Sequence, residues 1–165
     1  MLNVLLRVFQ NHRLQFHIAG LVYPVHVSEC SSDGEIRAIA HFDEPVPQTL
    51  SLQDFGESAV LAITIETQAP SQREPYRYQG IVSLNSDSLA HAFEQYFEQS
   101  EQLPTRLVLF KRGDQAAGLL IQQLPGQTGQ QEDWVRAQML FDTLRPDELF
   151  DLAPEEILYR LFHEE

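Results

Sequence analysis

Leu89, Ala92, Phe93, Tyr96, Phe97, Ser100 and Leu103 fall at i, i+3, i+4, i+7, i+8, i+11 and i+14, the spacing of one helical face. Between them His91, Glu94, Gln95, Glu98, Gln99, Glu101 and Gln102 form a polar face with no apolar interruption. Ser86 and Asp87 can cap the start of this helix by accepting from orphaned backbone N–H groups. Pro104 ends it, because proline biases the preceding residue away from helix. Burying each large apolar side chain contributes roughly 1.5–3 kcal/mol, against a net stability of only about 5–15 kcal/mol. The aromatic stripe is therefore read as core and not as a binding surface.

A second period, of two, runs through much of the remaining chain. Leu14-Gln15-Phe16-His17-Ile18 alternates as a half-buried strand ending at Gly20, and Val22 to Ser28 is a second strand, placed at an edge or bend by Pro24. After the turn Ser31-Ser32-Asp33-Gly34, Ile36, Ala38, Ala40 and Phe42 alternate with Glu35, Arg37, Ile39 and His41, giving a third. Pro45 and Pro47 mark a loop, and Ser51 to Gly56 suggests a short helical turn stopped by the glycine. Val60 to Ile65 and Tyr76 to Leu84 are further strands, with Gly80 marking a bulge or a close backbone approach. Arg106 to Lys111 and Ala116 to Leu124 form a hairpin around Arg112-Gly113-Asp114-Gln115. The loop from Pro125 to Gln131 leads to a helix on which Trp134, Ala137, Phe141 and Leu144 share a face. Pro146 and Pro154 suit first helical positions, and the last helix buries Ile157, Leu158, Leu161 and Phe162. Leu2 to Phe9 is the stub of a further apolar element. Strands punctuated by helices predict an α+β fold, antiparallel sheets around a central buried helix with a helical C-terminal segment.

The length of 165 residues suits one domain, read as residues 1–165, and 43% hydrophobic content is that of a globular chain. A net charge of −13, with the eleven basic residues scattered, argues against nucleic-acid binding, which needs clustered Lys and Arg. No run approaches the roughly 18 apolar residues of a membrane helix. The start, Met1 to Phe9, lacks the basic leader and cleavage site of a secretory signal. Cys30 is the only cysteine, so no intrachain disulfide can form, and a reducing cytoplasm is the expected location.

Candidate chemistry is sparse. Cys30 lacks a recognised nucleophile context and reads as an inert small hydrophobe. Of His12, His17, His26, His41, His91 and His163, the three on strands, His17, His26 and His41, could approach one another to hold zinc. Their spacing shows no metal motif, and ordinary strand surface is the favoured reading. Arg112-Gly113-Asp114 reads as a hairpin tip, where glycine supplies positive φ. Glu155-Glu156 is accounted for by the positive end of a helix dipole. No catalytic, cofactor-binding or metal-binding residue is assigned, no cofactor is expected, and an enzyme is the weakest reading.

Several blocks resemble the heat-shock protein 33 family, in the family's order. They are Ala62-Ile63-Thr64-Ile65, Tyr78-Gln79-Gly80-Ile81-Val82, Asp87-Ser88-Leu89 and Tyr96-Phe97. The run from Gln99 to Arg106 is the most specific, followed by Ala116-Ala117-Gly118, Leu124-Pro125, Asp133-Trp134, Asp147-Glu148-Leu149 and Leu161 to Glu165. The chain departs from the family at Gly20-Leu21-Val22-Tyr23-Pro24, where a glycine-rich turn is common, and at Asn85-Ser86, where Glu-Gly is frequent. Members of the family begin upstream of Met1 and continue past Glu165 into a linker and a four-cysteine zinc domain, the redox sensor. The resemblance implies the family's amino-terminal client-binding domain, a holdase that binds unfolding proteins without ATP, with a homodimer plausible. Without the zinc domain, binding is expected to be constitutive. The alternative is a truncated or diverged interaction module without general holdase activity.

Overall fold

The structure, a computed structural model, describes residues 12–19, 25–31, 35–41, 51–67, 76–123 and 131–163. The larger sheet is antiparallel and comprises β1 (His12–Ala19), β2 (Val25–Ser31), β3 (Ile36–His41), β4 (Val60–Thr67) and β5 (Tyr76–Ser83). Their spatial order is β3-β2-β1-β4-β5. Phe16 stands opposite Ile63, Ile18 opposite Leu61, and Leu61 opposite Val82, so these residues share one face. That inner face packs with Phe55, Ala59, Leu84, Ala92 and Tyr96 into the main core. The strand period of two then puts Ala62, Thr64 and Ile81 on the reverse side.

The second strand runs Val25–Ser31 in place of the expected Val22 to Ser28. It lies between β1 and β3 with both sides used in ladders, so of the edge or bend inferred from Pro24 the edge does not hold for Val25–Ser31. Ser31 belongs to the strand, and its N–H donates to Glu35 O at 3.0 Å to close the hairpin. Pro24, the stub Leu2 to Phe9, Phe42 with the Pro45–Pro47 loop, and the loops at 68–75 and 124–130 lie outside the described residues. Leu52–Phe55 is a short 3-10 turn ending at Gly56, as read from the sequence.

The central helix α1 (Leu89–Tyr96) packs against β5 and β6 (Thr105–Arg112). Ala92 and Tyr96 are fully buried, and Phe93 meets Phe16 edge-on with ring centroids 5.2 Å apart. Its cap is Ser88, whose hydroxyl accepts from His91 N–H at 3.2 Å; the expected caps Ser86 and Asp87 do not serve. Ser86 instead donates to Ser88 O, bracing the turn. The helix also stops being α-helical before Leu103: Phe97–Glu101 is a wider π turn, and Gln102 takes a left-handed conformation, φ 56. Tyr96 Oη donates to Glu101 Oε1 at 3.0 Å across this turn, and burial first, then that carboxylate, pushes the phenol above its ordinary range. Glu94 departs from the solvated polar face expected of it. It accepts from Leu107 N–H at 2.8 Å and faces Arg106, which also donates to Asp142 at 2.6 Å, tying α1 to the hairpin and to the end of α2.

β6 and β7 (Gln115–Gln122) pair with Arg112 opposite Gln115, leaving the two-residue turn Gly113-Asp114. Gly113 has φ 59, the positive value a tight hairpin turn requires at its first central position. The Arg112-Gly113-Asp114 tripeptide is thus a hairpin tip. The helices α2 (Gln131–Phe141), α3 (Pro146–Asp151) and α4 (Pro154–Phe162) pack through Trp134, Ala137, Phe141, Leu144, Leu149, Ile157 and Leu161 against Val108, Leu119 and Ile121 of the hairpin. Both prolines open their helices, as expected.

Each of these short helices uses a glutamate to satisfy its capping N–H: Glu148 Oε2 accepts from Arg145 N–H at 2.8 Å, and Glu156 Oε2 from Ala153 N–H at 2.9 Å. Glu148 is buried and also holds Arg160 of α4, Nε to Oε1 at 2.6 Å. The Arg145 N–H foremost, with Arg160 and Arg145 adding their charge against the opposing effect of burial, holds Glu148 below the ordinary carboxylate range. Its folded pKa therefore lies below its unfolded one. Its contribution to stability is complete above the ordinary carboxylate range and disappears as pH falls through the folded value. Glu148→Gln should lower the denaturation midpoint at neutral pH and flatten the loss on acidification. Denaturation midpoints of both proteins across that window check this, and parallel curves would refute it.

Candidate functional site

The strand candidates Cys30, His17, His26 and His41 stand at separate positions in the sheet register. Cys30 is half-buried in β2, opposite Leu14 and Ile36, and its thiol donates to Ser31 O at 3.4 Å. His17 stands opposite Val27 and Ala62, His26 opposite Ile18 and Ala40, and His41 opposite Val25. No two of the three are cross-strand partners. His91 is exposed beside Glu94, 3.8 Å away, and the His163 ring stacks on Tyr159 with centroids 4.6 Å apart. Among the described residues no three His, Cys, Asp or Glu side chains are grouped as a metal would require.

The distinctive feature is a surface, the reverse face of the five-stranded sheet. One register row crosses all five strands: Ile39, Val27, His17, Ala62, Ile81. Its end members are open to solvent, Ile39 at 53% and Ile81 at 61% exposure. The neighbouring row, Arg37, Glu29, Gln15, Thr64, Gln79, is polar and internally tied. Arg37 Nε donates to Glu29 Oε2 at 2.6 Å, and Gln79 Nε2 to Thr64 Oγ1 at 3.0 Å. Beyond it, Arg77 pairs with Glu66 at 2.8 Å. The face is thus a paired polar row beside a row with an exposed isoleucine at each end, a surface that gains free energy by covering those isoleucines while Arg37 and Glu29 are already paired. An open cleft of about 470 Å³ lies at the β2–β3 end, lined by Glu29, Ser31, Glu35, Ile36 and Arg37. On the helices, Val135 and Met139, one turn apart on α2, are exposed, as is Tyr159 on α4.

The alternation of β3 contained the signal for this surface. Ile39 falls among Glu35, Arg37 and His41, the face that period two turns away from the core. Ile81, between Gln79 and Ser83 on its face, is the corresponding exception in β5.

The architecture defines an α+β protein whose fold is shared with a crystal structure of the 33 kDa chaperonin, a heat shock protein 33 homolog, from Thermotoga maritima. The TM-score is 0.69 at 22% identity, covering 94% of this chain and 56% of that one. A family model described as Hsp33 protein matches residues 2–165, and the chain belongs to that family. Relatives named 33 kDa chaperonin include one from Hahella chejuensis, 46% identical over 142 residues, covering 84% of this chain and 48% of the relative. Another, from Chromobacterium violaceum, is 41% identical over 152 residues, covering 92% and 50%. A third, from Shewanella loihica, is 41% identical over 131 residues, covering 79% and 44%. The chain therefore spans about half the length of these relatives. No helix among the described residues is long and apolar enough to cross a membrane.

Proposed function

We propose that this chain is the client-binding domain of a chaperone, holding partly unfolded proteins by association without chemistry and without ATP. The observation that carries the reading is the pair of exposed isoleucines, Ile39 and Ile81, at the two ends of one register row, on a sheet whose other face is committed to the core, in a member of the Hsp33 family. Large side chains left open on a folded sheet cost solubility, and a net charge of −13 offsets that cost. Burial of one such side chain against a client contributes roughly 1.5–3 kcal/mol, so capture by a few is firm yet reversible. The reading requires no cofactor and fits a cytoplasmic protein. With Cys30 as the single cysteine, no disulfide within the chain can switch it.

The test is light scattering from a thermally unfolding enzyme in the presence of the chain, with and without reductant. The expected result is suppression of aggregation to the same extent in both. Ile39→Ser combined with Ile81→Ser should weaken it while the melting temperature stays within a few degrees. Binding to one folded partner with no suppression would favour a specific interaction module instead.

A further inference from the structure

We propose that the open edge of β3 captures non-native chains by strand addition, pairing main chain to main chain with an extended client segment; this rests on the holdase reading and gives its mode of recognition. β3 is one of the two terminal strands of the sheet, the other being β5, against which α1 packs, and its ladder with β2 runs unbroken from His41 opposite Val25 to Ile36 opposite Cys30. It has no strand on its outer side among the described residues. Alternate N–H and C=O groups of such an edge point outward in the plane of the sheet, as a template for another chain.

Proteins ordinarily blunt such an edge with proline, lysine, a bulge or a covering element. The strand Ile36-Arg37-Ala38-Ile39-Ala40-His41 contains neither proline nor lysine, its register has no bulge, and the charge of Arg37 is held by Glu29 on the neighbouring strand. Glu35 through Ile39 are all exposed, with Ile36 at 75%. The main core draws on β1, β4 and β5 and includes no described residue of β3, and Ile36 to Ile39 are open on both faces of the strand. An added strand would meet Ile36 and Ala38 on one side and Ile39 on the other. The cleft beside Ile36 leaves room for its side chains at that end.

Charge selects the occupant. Two copies of a chain of net charge −13 repel, which disfavours edge-to-edge pairing of the protein with itself. A neutral or basic apolar segment meets no such repulsion. Main-chain pairing also suits a holdase, because every polypeptide offers the same spacing of donors and acceptors whatever its side chains.

The full chain is titrated with a labelled, end-blocked peptide of alternating Val and Thr flanked by lysines, followed by fluorescence anisotropy. N-methylation of alternate residues leaves one donor edge intact and should change affinity little. N-methylation of consecutive residues blocks both edges and should weaken binding by about tenfold or more. Hydrogen exchange should slow at Ile36–His41 when the unmethylated peptide binds. Equal affinity of the consecutively methylated peptide, protection confined to other strands, or a dimer of the chain that excludes the peptide would each overturn strand addition. If aggregation is still suppressed in those cases, the holdase reading stands alone; if suppression is also absent, both fall.

Discussion

Phe141→Ala is expected to destabilise the protein by about 3–5 kcal/mol, seen as a lower denaturant midpoint. Phe141 is fully buried at the end of α2, where it packs with Ile121, Trp134 and Ala137, against Val108, Leu119 and Phe162. Hairpin, α2 and α4 converge on its ring, so no single element can move in to fill the space. The cavity cost therefore adds to the lost transfer energy. Two positions earlier on the same helix, Met139 is 66% exposed, and Met139→Ala should fall within about 0.5 kcal/mol. A loss of less than about 1 kcal/mol for Phe141→Ala would mean that the three C-terminal helices do not form one core with the hairpin. The variant also separates the sheet face from the exposed residues of the helices. If the reverse sheet face binds clients, loosening the helical layer should leave capture largely intact at temperatures where the sheet remains folded.

The core stripe of α1 was legible because 3.6-residue periodicity survives in the identities of Leu89, Ala92, Phe93 and Tyr96. The prolines of α3 and α4 and the glycine of the hairpin were legible for a similar reason, since each has few conformations or an unusual one. What failed to show was set by tertiary partners. Ser86, Asp87 and Ser88 are all competent caps, and the one that serves is fixed by where the chain leaves β5. Periodicity likewise cannot show the π turn after Tyr96, which the Tyr96–Glu101 hydrogen bond spans, or the left-handed Gln102 that closes it. Glu94 looked solvated because its partners, Leu107 N–H and Arg106, arrive from a strand thirteen and twelve residues away. Pro24 pointed to an edge or a bend, and β2 over Val25–Ser31 is interior. The edges are β3 and β5, and neither strand contains a proline.

The reverse face was half legible. Period two put Ile39 with Glu35 and Arg37, and Ile81 with Gln79 and Ser83. Sequence alone cannot say that these two lie at opposite ends of one row, because that depends on the order of five strands. Register turns two isolated exceptions into a surface. The same register pairs the polar row beside it internally: Arg37 and Glu29, and Gln79 and Thr64, are cross-strand neighbours bonded to each other.

Gly80→Ala should cost about 3 kcal/mol, at the upper end of overpacking penalties, although it adds one methyl group. Gly80 is buried in β5 opposite Ile63, and a Cβ there would overlap Tyr96 Cε2 and approach Ser100 Oγ to 3.0 Å. The Tyr96 ring has nowhere to retreat: it is fully buried, edge-on to Phe97 at 5.4 Å, and its hydroxyl is held by Glu101 at 3.0 Å. The clash must instead push β5 outward from α1. A double-mutant cycle checks the cause, since Tyr96→Leu removes the obstructing ring edge and should make the added methyl far less costly. Additive losses, or a single-mutant loss below about 0.5 kcal/mol, would show that the contact between α1 and β5 is looser than this. Ile81 follows Gly80 on the opposite face, so a displaced β5 also shifts one end of the row that carries the exposed isoleucines. Gly80→Ala should then weaken aggregation suppression more than an equally destabilising substitution such as Phe141→Ala, which lies among the helices packed on the hairpin.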